Sequence, residues 1–122
     1  MENRLDEKYI VTGGVPLRGE VQIGGAKNAV LKLMAAAILA KGRTLIHNVP
    51  DLTDVEIMLS VIQGLGTKTE YDKEHKTVTI DATDITSVTA KYELVSKMRA
   101  SFIILGALVS RCKEAIVALP GG

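Results

Sequence analysis

Gly24-Gly25-Ala26-Lys27-Asn28 is the stretch on which the reading of this chain turns: a run with strand character ends in two glycines and a long apolar helix begins. Glycines permit a tight turn and close backbone approach. The free N–H groups of a helix start favour anions, and Lys27 adds a mobile positive charge. Two readings fit these residues. In one the stretch is an anion-binding corner; in the other the glycines only turn the chain and Lys27 is a solvated first-turn lysine.

The chain around that corner has 122 residues, the size of one domain, and its 47% hydrophobic content is enough for a core. Fifteen Lys and Arg against fourteen Asp and Glu leave a formal net charge of +1, so no global field draws nucleic acid or anionic lipid. Cys112 has no second cysteine to pair with, and Met1–Lys8 lacks a charged-then-apolar leader, which together predict a reducing, cytoplasmic setting. The longest apolar run, Leu33 to Ala40, is too short to span a bilayer, and no membrane role is expected.

Before the corner, Met1–Lys8 is charged and expected to fray. Tyr9-Ile10-Val11 and Leu17–Ile23 read as two strands joined through Gly13-Gly14-Val15-Pro16, a hairpin. After it, Lys27 to Lys41 reads as a helix with almost no polar face, ended by Gly42; such a helix must be enclosed by protein. Arg43–His47 reads as a strand. Thr53-Asp54-Val55-Glu56 has capping-box spacing and opens an amphipathic helix to about Leu65, with Val55, Met58, Leu59, Ile62 and Leu65 on one stripe. Thr67–Tyr71 and Thr77–Ile80 flank a charged tip as a hairpin. Asp81–Ala90 reads as a connector, Tyr92–Cys112 as helix broken near Gly106, with a run from Phe102 to Val109 apolar on every side, and Ala115–Leu119 as a last strand before the turn Pro120-Gly121-Gly122. Two enclosed helices exceed what so small a domain hides, which predicts that the chain is part of something larger.

Four segments taken in order, Gly25-Ala26-Lys27-Asn28-Ala29, Asn48-Val49-Pro50-Asp51-Leu52-Thr53-Asp54-Val55, Tyr92-Glu93-Leu94-Val95-Ser96-Lys97-Met98-Arg99-Ala100-Ser101 and Leu119-Pro120-Gly121-Gly122, resemble the N-terminal part of the enolpyruvyl transferase family, and within it the members acting on UDP-N-acetylglucosamine in peptidoglycan synthesis. The resemblance implies an α/β fold: two domains, each of three β-α-β-α-β-β modules with helices inside and sheets outside, an inside-out α/β barrel of which this chain holds an incomplete share. Residues 1–23 are expected to pack with the second domain, 24–81 to form the first module and 82–122 to start the second. The implied reaction moves the enolpyruvyl group of phosphoenolpyruvate to a hydroxyl of UDP-N-acetylglucosamine by addition and elimination, with no metal or organic cofactor.

Carried over by motif, Lys27 and Asn28 are the pair expected to meet phosphoenolpyruvate and the sugar, and Arg99 is expected to face the substrate cleft with its planar fork. The plain readings are a helix-start lysine, a capping asparagine and a solvated or ion-paired helix arginine. In the family, Pro-Gly-Gly is followed directly by a cysteine or aspartate on a mobile loop. That residue would follow Gly122, so no catalytic group is expected in this chain, and the chain alone is expected to be inactive. Cys112 reads as a buried structural thiol, His47 as a strand residue and His75 as an exposed turn residue, with no metal site. Lys32 and Ala107 stand where the family's helices often carry proline, which puts local helix geometry in doubt. An uncovered face left by a missing domain is an expected route to self-association.

Three other readings stay open at this level. The sister enzyme of the shikimate pathway shares the fold and phosphoenolpyruvate but carries serine after the lysine, where this chain has Asn28. The element order also resembles an RNA-binding domain of a translation initiation factor, yet near-neutral charge with three Tyr, one Phe and no Trp leaves few groups for RNA. A non-catalytic nucleotide-sugar-binding module is the third.

Overall fold

The structure, a computed structural model, describes residues 7–97 and 102–119. Helix α1, Lys27–Ala36, is built from good helix formers and tightens into a 3-10 turn over Ala37–Leu39. Strand β1, Arg43–Ile46, leads to helix α2, Thr53–Gln63, and then to the hairpin β2, Lys68–Asp72, and β3, Thr77–Asp81. Strand β4, Thr89–Ala90, the short helix α3, Tyr92–Val95, helix α4, Ile104–Cys112, and strand β5, Ile116–Val117, complete the order.

The main sheet runs β1-β3-β2 and is antiparallel throughout, with Ile46 opposite Val78 and Thr44 opposite Ile80. Period-2 alternation in β3 sends Val78 and Ile80 to the inner face, where α1 and α2 cover them. The core joins Leu31, Met34 and Ile38 of α1 and its 3-10 turn, Val55, Met58 and Ile62 of α2, and Ile104 and Leu108 of α4. Strands β4 and β5 pair in parallel and close a second, two-stranded sheet.

The hairpin expected over Tyr9–Ile23 does not form. Residues 9–23 form no strand or helix, and Tyr9 and Leu17 are 99% and 96% exposed. Gly14 and Gly19 take positive φ angles of 90° and 129°, so Gly19 breaks the second run from within. An isolated two-stranded hairpin with no apolar face to rest on is at best marginal.

The apolar helices are also less enclosed than their composition predicts. Helix α1 buries one face, while Leu33 is 54% and Leu39 is 52% exposed; in α4 Val109 is 46% exposed. Hydrophobic residues on the outer face of a helix go inside only when another element covers them, and none does so among the described residues. Gly106 lies inside α4 and breaks nothing, and the change from α3 to α4 lies between Val95 and Ile104. Lys32 and Ala107 sit within continuous helix. Cys112 is only partly buried, packed against the core in the last turn of α4.

Gly42 does not end the first helix. The helix and its 3-10 turn stop at Leu39, and Arg111 reaches that end from α4: its Nη1 donates to the carbonyls of Ile38 at 2.8 Å and Ala40 at 3.2 Å, and its Nη2 to that of Thr83 at 3.0 Å. The guanidinium thus satisfies carbonyls that a helix end leaves orphaned and ties them to the segment after β3. Close by, the Thr83 hydroxyl and amide donate to Asp81 Oδ1 at 2.6 and 3.0 Å. These bonds hold the Asp81 carboxyl below its ordinary range.

Two outcomes follow from these contacts. Arg111→Ala should lower the urea unfolding free energy by about 2 kcal/mol, with only part restored by Arg111→Lys, because an ammonium lacks the planar fork; an unchanged urea midpoint would show that the clamp contributes nothing. A carboxyl whose pKa is depressed by folding stabilises above its unfolded value and loses that contribution as pH falls through the folded value. Asp81→Asn should therefore flatten the fall in melting temperature below about pH 4 relative to the parent chain.

Candidate anion-binding site

The corner singled out in the sequence is built by one close backbone approach. A Cβ on Gly25 would lie 1.8 Å from the carbonyl oxygen of Asn48 and 3.0 Å from Cδ of Pro50, so only glycine lets the two segments meet. Asn48 itself has a φ of 56°, the left-handed region in which asparagine is among the better tolerated side chains. The turn it opens, Asn48-Val49-Pro50, is held from its other side by Val49 N–H donating to the Lys76 carbonyl at 2.9 Å.

Beyond Gly25, Ala26 is the N-cap residue of α1 and supplies no side-chain cap. Lys27 is the first helical residue, where a cation opposes the helix dipole. Its Nζ lies 3.2 Å from Oδ2 of Asp54, which stands in the first turn of α2 where a carboxylate is favoured. The starts of α1 and α2 are therefore within side-chain reach, and the ion pair joins them. Both groups keep access to water, the lysine side chain being 52% exposed, so the pair is a mobile one worth little in stability. An ammonium held in this way is free to exchange its carboxylate for an incoming phosphate or carboxylate.

Asn28 is exposed and lies inside the helix, so it is not the cap that its residue type suggested; its amide has no partner among the described residues. Arg99 lies outside the described residues, as do Met98, Ser101 and Pro120-Gly121-Gly122, so the structure brings together Lys27 and Asn28 alone of the three expected site residues. His47 is exposed beside the end of β1. His75 is an exposed turn residue that does have an acidic neighbour, its Nδ1 being 2.7 Å from Oδ2 of Asp72, and the bonds from His75 hold that carboxyl below its ordinary range. Among the described residues no group of three His, Cys, Asp or Glu side chains is placed to hold a metal ion, and no helix is long and apolar enough to cross a membrane.

Sequence reasoning missed Asp54. The signal was available: Asp54 falls in the first turn after Asn48-Val49-Pro50, and Lys27 in the first turn after the glycines. Thr53-x-x-Glu56 diverted the reading toward a capping box. In the structure Leu52 is the N-cap residue, with no side-chain cap, and Glu56 bonds to Lys73 instead. A shared concavity elsewhere, of about 350 Å³ and lined by Leu33, Ala36, Ala37 and residues 44–47, is mostly apolar and does not suit an anion.

The family model described as EPSP synthase (3-phosphoshikimate 1-carboxyvinyltransferase) matches residues 11–122. The chain is 51% identical over 118 residues to the UDP-N-acetylglucosamine 1-carboxyvinyltransferase of Mycobacterium bovis, covering 97% of this chain and 28% of that protein. It is 48% identical over 117 residues to the UDP-N-acetylglucosamine 1-carboxyvinyltransferase 1 of Staphylococcus epidermidis, covering 95% of this chain and again 28% of the relative. The crystal structure of the enolpyruvyl transferase NikO from Streptomyces tendae superposes with a TM-score of 0.69 at 31% identity, over 81% of this chain and 23% of that one. The chain thus spans under a third of the length of these curated relatives.

The close approach gives a paired prediction. Gly25→Ala should cost about 1–3 kcal/mol in urea unfolding, because backbone must move to admit the methyl, whereas Gly24→Ala, with nothing within 4 Å of its Cβ, should change stability by under about 0.5 kcal/mol. Equal effects of the two would remove the steric account of this corner.

Proposed function

Because the chain belongs to the EPSP synthase (3-phosphoshikimate 1-carboxyvinyltransferase) family, we propose that it is the N-terminal portion of an enzyme transferring the enolpyruvyl group of phosphoenolpyruvate to UDP-N-acetylglucosamine. The observation that carries this reading is the first-turn Lys27, paired with Asp54, in a chain 51% identical to a UDP-N-acetylglucosamine 1-carboxyvinyltransferase. The family profile carries the name of the shikimate enzyme, but the similar curated relatives act on the nucleotide sugar, and Asn28 agrees with them.

In this reading the acceptor hydroxyl adds to C2 of phosphoenolpyruvate while C3 takes a proton; loss of phosphate and of a C3 proton then restores the double bond on the new ether. Negative charge gathers on the departing phosphate. Lys27, released from Asp54, stabilises that charge. The Asn28 amide holds the acceptor hydroxyl, donating or accepting as the hydroxyl requires. Arg99 adds a bidentate fork to phosphate or carboxylate. The proton-transfer residue would follow Gly122. Residues 1–23 would find their packing partner in a second domain, residues 24–81 would be the first module, and residues 82–122 would open the next. A cytoplasmic setting with small-molecule partners and no nucleic acid accompanies this reading, and the exposed Leu33 and Leu39 would favour self-association wherever they stay uncovered.

The whole protein carrying this stretch should release phosphate from phosphoenolpyruvate only when UDP-N-acetylglucosamine is present. Lys27→Ala should lower its kcat/KM by about 10²–10³-fold. The 122-residue chain by itself should show no turnover, since positioning needs both sides of a cleft. Dependence on shikimate 3-phosphate instead would transfer the assignment to the sister enzyme, and an unchanged rate in Lys27→Ala would remove Lys27 from the mechanism.

A further inference from the structure

The turn against which Gly25 rests has little to hold it from within. It opens on left-handed Asn48 and ends on Leu52, an N-cap residue without a side-chain cap, while Glu56 is turned away from the capping position. Its support comes from the far side, at the tip of the β2–β3 hairpin. Tyr71 donates its hydroxyl hydrogen to the Pro50 carbonyl at 3.1 Å. Lys73 Nζ lies 3.4 Å from Asp51 Oδ1 and 2.6 Å from Glu56 Oε1, so one ammonium spans the turn and the first turn of α2, and it sits 5.7 Å from the centre of the Tyr71 ring. The other side of the same turn carries the Asn48 carbonyl that receives Gly25, and α2 carries Asp54, which holds Lys27.

We propose that Tyr71 and Lys73 are positioning residues, which fix through Pro50, Asp51 and Glu56 the turn on which the Lys27–Asp54 pair is built. They touch no substrate. Their effect on transfer rests on the function proposed above; their effect on the geometry of the corner does not. A single exposed ion pair would contribute almost nothing, but one cation shared by two carboxylates and an aromatic ring, beside a hydroxyl bond to the same turn, forms a network. The hairpin is an antiparallel pair in register from Lys68 to Asp72, which makes it a stiff base for such a brace.

Two readouts test this, one independent of activity. In the 122-residue chain the Val30 amide closes the first turn of α1 on the Ala26 carbonyl at 3.0 Å, and the Val55 amide closes that of α2 on Leu52 at 3.1 Å. In Lys73→Ala combined with Tyr71→Phe, hydrogen exchange at Val30 and Val55 should speed up about fivefold, with Ala82, bonded to the Gly42 carbonyl, unchanged. Lys73→Arg with Tyr71 intact should keep exchange at the parent rate. Unchanged exchange at Val30 and Val55, or an equal rise at Ala82, would overturn the inference whatever the enzyme assay gives. In the whole protein Lys73→Ala should lower kcat/KM about fivefold, Lys73→Arg should restore it, and the loss should vanish in a Lys27→Ala background. An additive loss there would show that Lys73 acts elsewhere and would also overturn the inference. A parent protein without nucleotide-sugar-dependent activity would refute the proposed function, and the exchange measurement would still decide the brace.

Discussion

The meeting of Gly25 with the Asn48 carbonyl is the contact on which the arrangement of the site depends. Any side chain at position 25 would push the segment before α1 away from the turn before α2. With that separation the two helix starts would drift apart and the Lys27–Asp54 pair would open. A missing Cβ therefore determines where a charge sits. The pair itself is too exposed to contribute much stability, so its geometry must come from neutral packing and backbone contacts around it.

The ion pair at this corner is exposed and therefore weak. A lysine in a first turn sits against the helix dipole, and Asp54 relieves it at modest cost. Two helix N-termini within one side-chain length also concentrate backbone N–H groups. In the proposed function an anionic ligand entering there would find a cation whose present ion pair with a carboxylate is exposed and worth little. The apolar groove beside β1, lined by Leu33, Ala36, Ala37 and residues 44–47, carries no Lys, Arg, Asp or Glu in its lining.

Much of the fold was legible because its signals are local. The β2–β3 hairpin shows alternation around a charged tip, and α2 shows a clean apolar stripe, so both were readable to within a residue or two. The glycine turn into α1, with Lys27 as its first helical residue, was readable from two glycines and the apolar run after them. What failed depended on distant partners. The run Leu17–Ile23 has strand alternation, yet no described residue offers it an edge, and Gly19 interrupts it. Helices α1 and α4 look fully buried from composition, but composition cannot say what covers Leu33, Leu39 or Val109. Arg111 and Asp54 were overlooked because their roles join residues far apart in sequence: Arg111 reaches back to Ile38, and Asp54 to Lys27. The capping box at Thr53 and Glu56 was misread because Lys73, remote in sequence, takes the glutamate.

In the proposed function the mouth of α1 receives the anionic substrate. A structure of the whole protein bound to phosphoenolpyruvate and UDP-N-acetylglucosamine would decide this. Lys27 Nζ should lie within about 3 Å of a phosphate or carboxylate oxygen, with its bond to Asp54 lengthened or shared. Ligands seated elsewhere, with Lys27 still bonded to Asp54 alone, would contradict it.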